Sequence, residues 1–161
     1  GGFLTIHYMY DFGGVILRIY EEQEIMDMKP QELTSLLYQA FLEKLRASIK
    51  ALEEGDAVGS NYLLQGCNDI LERLGAGINY KAGIIADQLE ALYGFCAEKL
   101  IEANIKKDKE IMEQVLNIME NISQAWSAAM EISDKETGSN NKLGSYEDHL
   151  YYQPANVDIA E

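Results

Sequence analysis

Side chains that hold metals or build disulfides are scarce in this chain, which has two histidines and two cysteines among 161 residues. That excludes a disulfide framework and a paired-cysteine zinc site. His7 and His149 both fall outside the helical stretches, and no helix carries the Glu-x-x-His pair of a di-metal bundle, so no metal or cofactor is expected. Only two prolines occur, which leaves long stretches free to form uninterrupted helix. Apolar runs stay short of the roughly 18 residues that a membrane span requires. Basic residues are outnumbered 13 to 27 by acids, for a net charge of −14. Such a surface repels nucleic acid and anionic membranes, so neither is expected as a partner. The leading residues lack the basic segment, apolar run and small-residue cleavage site of a secretory signal. Cys67 and Cys96 sit among apolar neighbours and read as reduced core thiols, so a cytoplasmic address is expected.

Catalytic motifs are missing as well. Asp11-Phe12-Gly13 copies three residues of the kinase signature, but the glycine-rich loop, paired lysine and catalytic loop that give it meaning are absent. There is no phosphate-cradling loop and no nucleophile elbow. Glu53, Glu54, Glu72, Glu98 and Glu102 read as solvated helix faces. An enzyme is not expected.

What the chain does have is helical periodicity from Pro30 to about Ile132. Pro30 suits the first position of a helix, and Leu33, Leu37, Phe41, Leu45, Ser48 and Leu52 form its inward seam. Gly55 can close that helix in the left-handed conformation, and Asp56 can cap the next. The second helix runs to Leu74 with Leu63, Cys67, Ile70, Leu71 and Leu74 inward. After a glycine-punctuated connection, a third spans Ile84 to Asn104 with Ile85, Leu89, Leu92, Cys96, Leu100 and Ala103 inward. Lys106-Lys107-Asp108 breaks the chain before a fourth helix. Helices of similar length joined by short breaks predict an all-α fold, an antiparallel up-down four-helix bundle with non-bundle N- and C-terminal extensions. The expected organisation is 1–26 as an apolar leading extension, 27–132 as the bundle and 133–161 as an acidic tail. Residues 3–20 are rich in β-branched and aromatic side chains. They read as a hairpin about Gly13-Gly14, or as a short helix from Val15 to Met26.

The fourth helix carries two apolar stripes rather than one. Ile111, Val115, Ile118, Ile122, Ala125 and Ala129 follow one face, and Met112, Leu116, Met119, Trp126 and Met130 lie beside it. Together they read either as one broad core face or as a core stripe plus a groove. The first stripe is assigned to the core. The second, rich in adaptable thioethers, is assigned to a groove for an apolar helix of a partner.

A set of short pieces then falls in a telling order. Tyr20 is followed by Ile25, by Pro30-Gln31-Glu32-Leu33 and by Leu36-Leu37-Tyr38. Asn68-Asp69-Ile70 with Leu74, Leu92-Tyr93, Leu100-Ile101-Glu102-Ala103-Asn104 and Trp126 come after them. Over roughly 110 residues this resembles the flagellin-specific export chaperone family, FliS. Gln23 stands where that family usually has Asn, and Asp27-Met28-Lys29 replaces its usual serine-containing lead into the first helix. The resemblance implies a cytoplasmic bundle that holds the C-terminal segment of new flagellin, prevents premature polymerisation and delivers it to the export gate. Export-gate components or a co-chaperone are the further partners it brings, with the protein a monomer or weak dimer. On this reading the partner-binding residues are Met112, Leu116, Met119, Trp126 and Met130, with Tyr93 and Ile101 from the third helix and Tyr20 and Ile25 from the leading segment. Residues 3–20 are expected to cover part of the groove and compete with the client. The rival reading is a self-associating structural or regulatory adaptor with a different client.

Overall fold

Four helices account for most of the computed structural model, which describes residues 27–135 with Glu24 ahead of them. They are α1 (Pro30–Glu53), α2 (Ala57–Ala76), α3 (Ile84–Lys106) and α4 (Lys109–Lys135), with a short 3-10 turn at Tyr80–Ala82 before α3. No β-strand occurs among the described residues. The readings made for residues 3–20, for Tyr20 and Ile25, and for the tail beyond Lys135 lie outside them.

Each helix end has a local cause. α1 starts with Pro30, and its N-cap Lys29 makes no side-chain cap bond. Proline loses little there, because the first helical N–H has no intrahelical acceptor. Gly55 closes α1 at φ 82°. Asp56 then caps α2, its Oδ1 accepting from Gly59 N at 2.8 Å. That bond is close enough to need glycine, since a Cβ on Gly59 would fall 2.2 Å from Asp56 Oδ2. α3 ends on Lys107, a non-glycine residue held left-handed at φ 53°. Asp108 restarts the chain, its Oδ1 accepting from Glu110 N and Ile111 N at 3.0 and 3.4 Å.

Turns this short force neighbouring helices to run antiparallel, and side-chain links along the bundle agree. α1 packs on α2, α2 on α3, α3 on α4, and α4 closes back on α1. Lys109 Nζ at the start of α4 donates to Glu53 Oε2 at the end of α1 (3.0 Å). At the opposite end Trp126 Nε1 donates to Ser35 Oγ (2.8 Å). α1 and α2 approach closely at small residues, where Ser48 Oγ donates to the Ser60 carbonyl (3.0 Å) in a fully buried contact.

The expected α1 seam is the observed one, with Leu37, Phe41, Leu45 and Ser48 buried and Leu33 and Leu52 half-buried. In α2 the core takes Leu64, while Leu63 is only half-buried. Tyr38, Tyr93 and Trp126 form an aromatic cluster inside the bundle. The Tyr38 and Tyr93 hydroxyls bond each other, and the Tyr38 and Trp126 rings meet edge-on at 6.1 Å. Burial of these rings supplies apolar area, and their polar atoms keep partners, as buried tyrosine and tryptophan require.

Candidate functional site

α4 turns both stripes to the core as one broad face, with the methionine line deepest and Ile111, Ile118 and Ile122 packed half-buried against it. Met112 and Met119 are fully buried and Trp126 nearly so, while Val115 alone of the first stripe is buried. Ile111, Ile118, Ile122 and Ala129 are half-buried, and Ala125 is exposed. Met112, Met119, Trp126 and Tyr93 are therefore corrected from partner contacts to core. The physical reason is rotation about the helix axis. Two adjacent apolar stripes leave that angle undetermined within the helix, and contacts with α1 settle it. Arg46 reaches Glu120 (2.8 Å) and Glu53 reaches Lys109, which points one flank of α4 at α1. The methionine line then faces the bundle axis, where flexible thioethers fill the irregular centre. Leu116 and Met130 sit half-buried beside it.

The isoleucine flank lies on the side towards α3. That helix spreads apolar residues around its whole circumference, interspersed on the outer side with charged ones. Its inward face uses Ala86, Tyr93, Cys96, Leu100 and Ala103. On the flank nearer α4 it leaves Ile84 (73% exposed), Ile85, Leu92 and Phe95 (47%) in contact with water. Ile85 and Leu92 were expected inward; each lies at the edge of the buried arc instead. From the Lys107-Asp108 turn the two helices run back alongside each other, so Phe95 and Leu92 come about level with Ile118 and Ile122. Ile84 and Ile85 come about level with Ala129 and exposed Ile132. The result is an apolar seam along about half the length of α3 and α4, from Phe95 and Ile118 to Ile84 and Ile132.

Polar groups frame the seam at one end. Lys99 lies with Nζ 5.6 Å from the Phe95 ring centre, a cation–π distance. Lys106 and Lys99 donate to Glu102 at 2.9 and 3.2 Å, and these bonds, that of Lys106 foremost, hold its carboxyl below its ordinary range. No group of three or more potential metal ligands occurs among the described residues. Cys67 and Cys96 are buried thiols whose ionisation is opposed by burial; Cys96 is pushed up to about 11. Nothing in this arrangement activates a nucleophile. It can bury apolar surface.

Ile101, named from the sequence, is exposed, but it lies on the other flank of α3, next to α2. Ile84, Leu92 and Phe95 were not named as contacts. The available signal was the large apolar residues that interrupt the polar outer side of α3, since a helix at the outside of a bundle normally keeps that side polar.

The family profile described as Flagellar protein FliS matches residues 16–133, which takes in α1 to α3 and all but the last two residues of α4. A flagellar secretion chaperone FliS of Salmonella typhimurium is 30% identical over 122 residues, covering 73% of this chain and 90% of the relative. The Bacillus subtilis protein of the same name is 26% identical over 117 residues, or 73% and 87% of the two chains. One from Escherichia coli is 24% identical over 111 residues, or 68% and 82%. The match takes in nearly the whole bundle and most of each relative's length, and on that ground this chain belongs to the FliS family of flagellar proteins.

Proposed function

We propose that this protein is a cytosolic export chaperone without enzymatic activity. It binds the C-terminal segment of flagellin, prevents its premature polymerisation and helps deliver it to the flagellar secretion apparatus. The flagellar secretion chaperone names of its relatives support the general role. The observation that carries the binding mode is the open apolar seam between α3 and α4. An amphipathic client helix laid along it would place apolar side chains at i, i+3, i+4 and i+7 over Leu92, Phe95, Ile118 and Ile122. Each fully buried client leucine would contribute roughly 1.5–3 kcal/mol. Ordering a disordered flagellin end opposes this by about 2–5 kcal/mol, which keeps the complex releasable at the export gate.

Calorimetric titration with the last forty or so residues of the cognate flagellin tests the proposal. We expect one-to-one binding with a negative heat-capacity change, because apolar surface leaves water. Phe95→Glu should weaken it by at least tenfold while the helical circular dichroism stays unchanged. A tight dimer indifferent to the peptide would favour the self-associating adaptor instead.

A further inference from the structure

The opposite flank of α3, where it meets α2, carries a second exposed surface. Asn104 Nδ2 donates to Asn61 Oδ1 across this boundary and sets the register of the two antiparallel helices. At that end Val58 (81% exposed), Ile101 (53%) and Ile105 (78%) stand in water. Two turns along α3 from Ile101, in mid-helix, comes Gly94. Glycine weakens a helix interior relative to alanine, and no close approach among the described residues explains it here: a Cβ on Gly94 would meet none of their atoms within 4 Å. The missing side chain leaves a shelf on which another backbone can lie close.

Carboxylates surround the shelf. Glu90 and Glu98 on α3, and Asp69 and Glu72 on α2, are exposed, and none has a cationic partner among the described residues. Between the helices Asn68 keeps a buried Oδ1 to which no described group donates. In a chain at −14 these charges repel one another as well as any anionic surface. A second copy of the chain would present the same acidic face, so symmetrical self-pairing here is opposed.

We propose that the outer face of α2 and α3 is a docking surface for a basic amphipathic helix of a second protein. Its apolar end covers Val58, Ile101 and Ile105, its backbone passes closest at Gly94, and its lysines or arginines meet the four carboxylates. From Glu90 to Ile105 the face is on the order of 22 Å long at 1.5 Å per residue, so about four turns suffice. This surface lies across α3 from the α3–α4 seam.

The test uses the full chain and a labelled alanine-based helical peptide of eighteen residues, with leucines at i and i+4 in one half and lysines in the other. Fluorescence anisotropy should show one-to-one binding that weakens with added salt. Gly94→Leu, which has open space around it, should reduce affinity at least tenfold while thermal stability is maintained or raised. Glu90→Lys with Glu98→Lys should do the same, and a peptide with glutamates for lysines should not bind. Absence of binding, or binding that survives Gly94→Leu, overturns the proposal. It also falls if Gly94→Leu abolishes binding of the flagellin segment, or dissolves a dimer seen by sedimentation, since the face would then serve the client or a second copy.

Discussion

Individual residues show where local chemistry was legible and where it was not. Gly55, Asp56 and Pro30 do what their chemistry permits, and could be read directly. Lys107 could not, because lysine gives no hint of a left-handed conformation; the tight α3–α4 turn imposes it. A non-glycine residue there carries roughly 1 kcal/mol of backbone strain. Lys107→Gly should therefore raise the urea midpoint by an amount equivalent to about 0.5–1 kcal/mol, with no change in slope. Buried thiols lead to a second expectation. Burial raises the folded-state value of Cys96 from 9.0 to about 11, so its neutral form is favoured in the folded chain. The associated stability is complete below pH 9 and is lost as pH rises through 11, because the unfolded chain ionises first. Urea unfolding between pH 8.5 and 11 should show stability falling with pH, and Cys96→Ala should flatten part of that fall. Tyrosine and lysine titration remains in both proteins and cancels in the comparison.

Elements were more legible than their orientation. Four helices, their order and their antiparallel sense follow from periodicity and short breaks, and the α1 seam follows from spacing alone. α4 is where sequence reasoning reaches its limit. Its two stripes are both apolar, so the choice of the deeper face depends on Arg46, Glu53 and Ser35, which lie far away in sequence. The consequence separates folding from binding. Met119→Ala empties a fully buried position and should destabilise the chain by about 2–5 kcal/mol. Phe95→Ser removes a half-exposed ring from the seam and should change stability by no more than about 1 kcal/mol, yet weaken flagellin binding strongly. Denaturant titrations of both variants check this. Equal destabilisation would mean that Phe95 belongs to the core.

The whole molecule places one end of the apolar seam beside the start of the chain's first helix. In an up-down bundle α1 and α3 begin, and α2 and α4 finish, at the same end. Pro30 therefore lies at the end where Ile84, Ile85 and Ile132 are exposed. Residues 3–20, joined to Pro30 by a link of about ten residues, contain Phe3, Leu4, Ile6, Tyr8, Tyr10, Phe12, Val15, Ile16 and Ile19. A tethered segment of that composition, if it docks on the seam, would compete with a client at an effective concentration on the order of mM, which even a weak intramolecular contact converts into substantial occupancy. Such competition lowers the client's apparent affinity by the fraction of seam left open. Removing residues 1–19 should then tighten binding of the flagellin segment several-fold, chiefly through faster association, when full-length and shortened chains are compared by stopped-flow fluorescence. Unchanged or weaker binding would show that the leading segment does not contest the seam. In that case the affinity of the full chain would be set by the α3–α4 surface and the ordering of the client alone.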